Sequence, residues 1–186
     1  MRIERPAEGI FVAFDAMREP EKIIAWIEKQ TLWHRAQETR ADGVVALTPN
    51  RQADAFNLVD LLKDNVEANA LDSVIGQVLN ECLLRYAEEY QFLVIRRDSE
   101  YDFLRYSARD RYLTHVDAGP QFHRTLSVLL YLNDDYEGGE LCFPRQGITI
   151  RPEKGMVVMF PSNFQYPHQA FEVRKGVKYV VVSWFS

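Results

Sequence analysis

Cysteine is scarce: Cys82 and Cys142 are the only two in 186 residues. Two thiols cannot build a disulfide framework, so the fold must rest on a hydrophobic core, and a reducing compartment is expected. No apolar run approaches the roughly 18 residues that span a bilayer. The opening MRIERPAEGIFVAF carries charge too early, and too short an apolar stretch, for a secretory leader. Positive charge is not in excess either. Twenty-two Lys+Arg against 27 Asp+Glu give a net charge of -5, which argues against a protein held mainly by nucleic-acid phosphates. No repeat, low-complexity tract or Gly/Ser linker divides the chain. These absences leave a soluble, cytoplasmic chain folded as one domain over 1–186, with neither nucleic acid nor membrane as a partner and no indication of oligomeric state. An apolar content of 47% with 26% charged residues suffices for a packed core.

Composition shifts once, near residue 100. Before it the periodicity is mostly helical, so 1–98 reads as a helix-rich buttressing segment. IFVAF at 10–14 is a short strand, and Pro20 opens a helix over EKIIAWIEKQ. ADAFNLVDLLK at 53–63 reads as a second helix. The clearest helix is 71–90, where Leu71, Val74, Ile75, Val78, Leu79, Cys82, Leu83, Tyr86, Ala87 and Tyr90 keep helical spacing. Cys82 lies on that stripe and reads as a buried apolar residue. From 92 onward come FLVIRR, YDFLRYS, TLSVLLYL, GELCFP, GITIRP, GMVVMF and GVKYVVVSWF, separated by Gly, Pro, Asn and Asp clusters. Seven or eight closely spaced strands suggest a sandwich or jelly roll, and helices before strands an α+β layering.

Three of the four histidines fall in the strand-rich half. His115 and Asp117 form the triplet HVD, and residues two apart on a strand point to the same face. An imidazole and a carboxylate so placed can bind one metal ion, with His168 in YPHQAF the leading third ligand. Two His and one carboxylate leave coordination positions open, as non-haem Fe(II) requires; zinc hydrolysis is the competing use of three ligands. No general-base Glu or oxyanion donor accompanies the set, which disfavours the hydrolase. His123, beside Arg124, reads as solvent-facing. EGGE at 137–140 and PEKG at 152–155 read as turns, not as phosphate loops.

Residues 168–173 and 177–184 read as a hairpin about Arg174-Lys175-Gly176, with Gly176 at positive φ. In that register Glu172 faces Lys178, and His168 and Lys178 share a face about 13 Å apart along the strand. A lysine among Val177, Tyr179, Val180, Val181 and Val182 is unfavourable unless it meets an anion. The gap left by the lysine arm is about that of a five-carbon dicarboxylate; an exposed edge lysine is the plain alternative.

FLRYSARDRYLTHVDAG, RTLSVLLYLNDDYEGGELCFP and IRPEKGMVVMFPSNFQYPHQAFEVRKGVKYVVVSWF, in that order, cover about 103–185. Together they resemble the Fe(II)/2-oxoglutarate-dependent oxygenases, most closely the prolyl 4-hydroxylase and oxygen-sensing prolyl-hydroxylase group. The resemblance implies a double-stranded β-helix, a cupin-like jelly roll, over 99–186 with the N-terminal helices packed on its larger sheet. It implies that His115, Asp117 and His168 bind iron and that Lys178 anchors the far carboxylate of 2-oxoglutarate. Tyr106 and Tyr131 fall where relatives place co-substrate-contacting tyrosines, although plain core tyrosines would read the same. Arg124 falls where relatives carry an arginine near the substrate; a strand-start salt-bridge partner is the alternative. Trp184 is either a pocket wall or a core tryptophan. With Asp at 117 the site favours hydroxylation over halogenation. Six residues, Ala118 to His123, separate Asp117 from Arg124, fewer than in many peptide hydroxylases, and the anchor is Lys as in collagen-type enzymes.

The implied activity is hydroxylation of an unactivated C–H bond, with 2-oxoglutarate and O2 as co-substrates, ascorbate as reductant, and release of succinate and CO2. The implied substrate is a prolyl residue in a peptide or protein. A free amino acid or other small molecule is the rival within the enzyme class. A non-catalytic cupin-like protein that binds metal and 2-oxoglutarate is the rival outside it.

Overall fold

The computed structural model describes residues 1–39, 44–62, 65–90, 95, 97–120 and 123–186. The chain begins with strands β1 (Arg2–Ala7) and β2 (Ile10–Phe14) and helix α1 (Pro20–Ile27). Short strands follow: β3 (His34–Arg35), β4 (Glu38–Thr39), β5 (Val45–Ala46), β6 (Arg51–Gln52) and β7 (Asp54–Asn57). A 3-10 turn (Leu58–Leu61) leads to helix α2 (Val66–Glu89). The remainder is strand: β8 (Arg97–Tyr106), β9 (Arg111–His115), β10 (Leu126–Tyr131), β11 (Glu137–Gly138), β12 (Leu141–Phe143), β13 (Ile148–Ile150), β14 (Val157–Pro161), β15 (His168–Ala170), β16 (Val173–Lys175) and β17 (Lys178–Phe185).

Two antiparallel sheets face each other. The larger has eight strands in the order β1-β2-β14-β10-β17-β8-β7-β3, and the smaller has five in the order β13-β12-β15-β9-β6. This is the jelly-roll arrangement, with neighbours in a sheet distant in sequence. The buttressing segment is not purely helical. Its strands β1 and β2 extend one edge of the larger sheet, β7 and β3 the other, and β6 flanks the smaller sheet.

Strand alternation divides the core in two. On one face of the larger sheet, Phe11, Leu126, Val128, Val157, Met159, Val181 and Phe103 join Ile23 and Ile27 of α1 and Ile75, Leu79, Cys82 and Tyr86 of α2 in a single cluster. On the other face, Val12, Leu104, Tyr106, Tyr131, Val158, Val180 and Trp184 meet Leu141 and Phe143 of the smaller sheet. The helices therefore brace the outside of the larger sheet, and its inner face is left to line the space between the sheets.

Local sequence explains the helix starts. Pro20 takes the first turn of α1, where its missing N–H is harmless. The Asn65 side chain caps α2 by accepting from the Ala68 N–H at 3.0 Å. α2 is longer at its start than the 71–90 periodicity suggests and buries a narrower stripe, because Val74 faces solvent.

Over its described residues, 53–62, the α-helix expected at 53–63 does not form. Asp54–Asn57 is strand β7, paired with β8 so that Phe56 lies opposite Phe103, with ring centroids 5.0 Å apart. Asn57 then accepts from the Val59 N–H at 2.9 Å and starts the 3-10 turn. Pairing with a distant strand outweighed local propensity. Most of the FLVIRR strand lies outside the described residues. The hairpin expected at 168–184 is also absent. β15 belongs to the smaller sheet, β16 pairs with β11, and β17 lies in the larger sheet between β10 and β8. Gly176 does adopt positive φ, 83°, but it turns the chain between sheets.

Leu79→Ala is expected to lower unfolding free energy by about 2–5 kcal/mol, and Val74→Ala, earlier on the exposed side of the same helix, by less than about 0.5 kcal/mol. Urea unfolding followed by circular dichroism measures both; equal effects would contradict this register of α2.

Candidate active site

β9 and β15 pair so that His115 lies directly opposite His168, which brings the two rings to 4.2 Å between centroids. The register shifts between that pair and the next, Tyr112 with Ala170. The extra residue on β9 lets Tyr112 stack on His115, three positions on, at 3.5 Å and 15°. Asp117 lies just past the end of β9. One carboxylate oxygen is 3.5 Å from His115 Nε2 and the other 3.7 Å from His168 Nε2.

Each imidazole is oriented through its far nitrogen. Nδ1 of His115 lies 2.8 Å from the Leu113 carbonyl, and Nδ1 of His168 3.2 Å from the Tyr166 carbonyl. A carbonyl only accepts, so both Nδ1 atoms carry the proton and both Nε2 lone pairs point inward. Phe160 meets His168 edge-on at 4.5 Å and closes its other side. Burial and the neighbouring His115 push the His168 imidazolium down to about 4, so the ring is neutral and ready to ligate. Burial alone would raise the Asp117 carboxyl, but His168, His115 and the Ser127 hydroxyl outweigh it and hold it well below the usual range. Ser127 Oγ donates to Asp117 Oδ2 at 2.6 Å. The ligand atoms of all three residues lie within 4.8 Å of one another. Two imidazole nitrogens and one carboxylate converging on one point suit a divalent transition metal with open positions.

Lys178 reaches the site from the opposite sheet. It sits on the inner face of β17 opposite Tyr106 and is 2% exposed. Its Nζ donates to the Gly139 carbonyl at 2.7 Å and lies 5.0 Å and 5.3 Å from the ring centroids of Tyr106 and Tyr131. Among the described residues no carboxylate pairs with it. Burial pulls the ammonium down to about 7, partly offset by Glu140. Tyr106 is pushed up to about 12 by burial, so its phenol remains a proton donor. EGGE, a turn in the sequence reading, thus supplies the lysine's carbonyl partner. Gly139 has φ 67°, and a Cβ there would meet Lys178, Tyr136 and Val173 at 3.1 Å.

His115, Asp117, His168, Lys178, Tyr106, Tyr131, Arg124 and Trp184 all border one cavity of about 360 Å³. Hairpin geometry does not bring His168 and Lys178 together; two facing sheets do. Arg124 stacks on Trp184 at 3.5 Å. His123 is exposed and stands apart from the cavity. Burial raises the Cys82 thiol to about 12, in keeping with a packing residue.

Three cavity residues escaped the sequence reading. Asp102 lies on the inner face of β8, its carboxyl raised by burial against the opposing pull of Arg51 and Arg124. Arg51 comes from β6, 3.9 Å from Asp102 and over the Tyr112 ring. Asp102 was detectable as an acid at the same parity as Leu104 and Tyr106. Arg51 and Tyr112 had no such signal, because β6 pairs with β9 from 60 residues away.

Residues 101–186 match the model of the 2OG-Fe(II) oxygenase superfamily. Human prolyl 3-hydroxylase 2 is 38% identical over 68 residues, 34% of this chain and 10% of that protein. A probable prolyl 4-hydroxylase 9 of Arabidopsis thaliana is 32% identical over 113 residues, 45% of this chain and 39% of that protein. The chain thus spans about a tenth of the length of the prolyl 3-hydroxylases it matches. Among solved structures, a prolyl hydroxylase of Trichoplax adhaerens in complex with a hypoxia inducible factor oxygen degradation domain peptide fragment superposes with TM-score 0.78 and 17% identity, over 96% of this chain and 84% of that one. The viral collagen prolyl hydroxylase of Paramecium bursaria Chlorella virus-1 gives TM-score 0.71 and 18% identity, over 96% of both chains. At such identities these structures bear on the fold alone. Over residues 101–186 the chain is thus similar to the 2OG-Fe(II) oxygenase superfamily, and prolyl hydroxylases resemble it in sequence over part of its length and in fold.

Proposed function

We propose that the protein is an Fe(II)- and 2-oxoglutarate-dependent hydroxylase acting on a prolyl residue of a peptide or protein. The observation that carries this reading is a buried lysine with no carboxylate partner among the described residues, in the same cavity as two inward-facing Nε2 atoms and a carboxylate. His115, Asp117 and His168 would hold Fe(II). Held there, Fe(II) would supply the oxidising chemistry for hydroxylating a C–H bond, with 2-oxoglutarate and O2 as co-substrates and succinate and CO2 as by-products.

The chain's own residues bind, orient and exclude water. The Lys178 ammonium offers a charge-assisted partner to the distal carboxylate of 2-oxoglutarate, and the Tyr106 and Tyr131 phenols stand beside it as neutral donors. Leu129, Leu141 and Val180 line the cavity, so a carboxylate there is held away from bulk water, where ion pairing is strongest. Arg124, stacked on Trp184, offers a rigid cationic and aromatic surface for the substrate. A peptide substrate is supported by the Trichoplax adhaerens relative, whose structure contains a peptide. Ascorbate belongs to the same proposal as an external reductant. Among the described residues no helix is long and apolar enough to cross a membrane.

Alanine at His115, Asp117 or His168 is expected to abolish succinate formation and to weaken Mn(II) binding at least 10-fold, on the order of a lost ligand. His123→Ala should match wild type in both. Equilibrium dialysis and a succinate assay check this; wild-type binding by His168→Ala would remove it from the site.

Lys178→Ala should weaken 2-oxoglutarate binding by about 30- to several-thousand-fold, the equivalent of roughly 2–5 kcal/mol for breaking one side of a buried charge pair. The folded ammonium titrates near 7, so it is charged below that pH and neutral above it. Affinity in the wild type should therefore be greatest below pH 7 and fall by up to about tenfold per unit above it. Lys178→Arg, which stays charged, should bind more weakly than wild type with little slope over that range. Calorimetry from pH 6 to 9 reads both effects; a flat wild-type profile would contradict the role of Lys178.

Substrate class is tested by succinate release stimulated by Pro-containing peptides against free proline and other amino acids. Stimulation by peptides alone is expected. Stimulation by free amino acids alone would replace the peptide reading, and 2-oxoglutarate binding with no turnover on any of them would favour a non-catalytic binding protein.

A further inference from the structure

The three metal-binding side chains hang from the smaller sheet, yet a hydrogen bond holds one of them from the larger. Ser127, on β10, and Ser162, just past the end of β14, lie on neighbouring strands of the larger sheet and are 0% and 1% exposed. Ser127 Oγ is 2.6 Å from Asp117 Oδ2, and the two serine hydroxyls are 2.8 Å apart. The order of donation follows from chemistry. An ionised carboxylate only accepts, so the Ser127 proton is committed to Asp117, and Ser162 must be the donor to Ser127. The chain runs in one direction, Ser162 to Ser127 to Asp117, and each bond polarises the next. Ser162 also holds the backbone beyond the ligand: its carbonyl accepts from the Ala118 N–H at 2.9 Å, and its N–H donates to the Thr125 carbonyl at 3.0 Å.

We infer that Ser127 and Ser162 are positioning residues for Asp117, engaging Oδ2 so that the carboxylate offers a metal Oδ1 alone. The inference rests on the metal reading proposed above. A carboxylate free to turn could present both oxygens and take up a second coordination position, one that a chelating co-substrate or O2 needs. A buried serine that merely fills space would have no such consequence. Ser127 is also invisible to a motif search, since it lies ten residues past the ligand on the opposite sheet.

The test uses the full chain, stripped of metal and reloaded. Ser127→Ala is expected to weaken Mn(II) binding by about 10- to 100-fold, the usual effect of removing a ligand's outer partner. It should also shift the Co(II) d–d spectrum, which reports coordination number and geometry. Ser162→Ala leaves the Ser127–Asp117 bond in place but loosens its rotor. Its loss should be under about 10-fold, with a smaller spectral shift in the same direction. A purely structural role would lower the melting temperature of the metal-free protein and leave metal affinity and spectrum unchanged. Wild-type Mn(II) affinity together with a wild-type Co(II) spectrum in Ser127→Ala would overturn the inference and leave the metal reading standing. Failure of the wild-type chain itself to bind Mn(II) or Co(II) would remove the metal reading, and the inference with it.

Discussion

An ammonium group enclosed in a hydrophobic core is the constraint on which the site depends. Lys178 lies among valines and tyrosines on the inner face of β17, with one carbonyl to donate to. A buried charge with so little compensation is unfavourable, and its lowered titration point expresses that. Folding tolerates it because the flanking residues of β17 contribute heavily to both halves of the core. Val181 and Phe185 pack toward the helices, and Val180, Val182 and Trp184 toward the smaller sheet. The strand cannot slip by one residue to release Lys178 without turning both sets of side chains to the wrong face. Below about pH 7 the Lys178 ammonium is therefore a positive charge of fixed position, suited to a carboxylate.

Division of labour between the sheets follows from the topology. The smaller sheet carries His115 and His168 on adjacent strands and Asp117 just beyond. The larger sheet, braced by α1 and α2, carries Lys178, Tyr106, Tyr131, Ser127 and Trp184. Neither sheet alone forms a pocket. A ligand between them would touch both, so binding and the packing of the two sheets are coupled through the same side chains. The helices lie away from the cavity and bear on it only indirectly, by packing on the larger sheet's outer face in a second core.

Much of the site was legible because its residue types are rare in their settings. An imidazole and a carboxylate two apart, a histidine near the end of the chain, and a lysine inside a run of valines each stand out in one dimension. What connects them does not. A hairpin is the nearest local way to join His168 to Lys178, whereas the chain leaves the smaller sheet after Ala170, passes through β16 and enters the larger sheet only at Lys178. ADAFNLVDLLK read as a helix because its local propensity favours one, and only pairing with β8 makes it a strand. α2 was legible because its stripe is long and periodic. Arg51, Tyr112, Ser127 and Ser162 were not, because their roles come from partners brought close by long-range pairing. Asp102 stands between these cases, visible by parity on β8 once Tyr106 is placed in the cavity.

In the function proposed here, one cavity would hold a metal at one end and 2-oxoglutarate against Lys178 at the other, with a single molecule bridging them. Anaerobic titration of 2-oxoglutarate into Fe(II)-loaded protein, followed by visible absorption, tests it most directly. A metal-to-ligand charge-transfer band is expected that requires both iron and the oxoacid and saturates at one oxoacid per chain. Binding of 2-oxoglutarate with equal affinity in the presence and absence of iron, and with no such band, would contradict it.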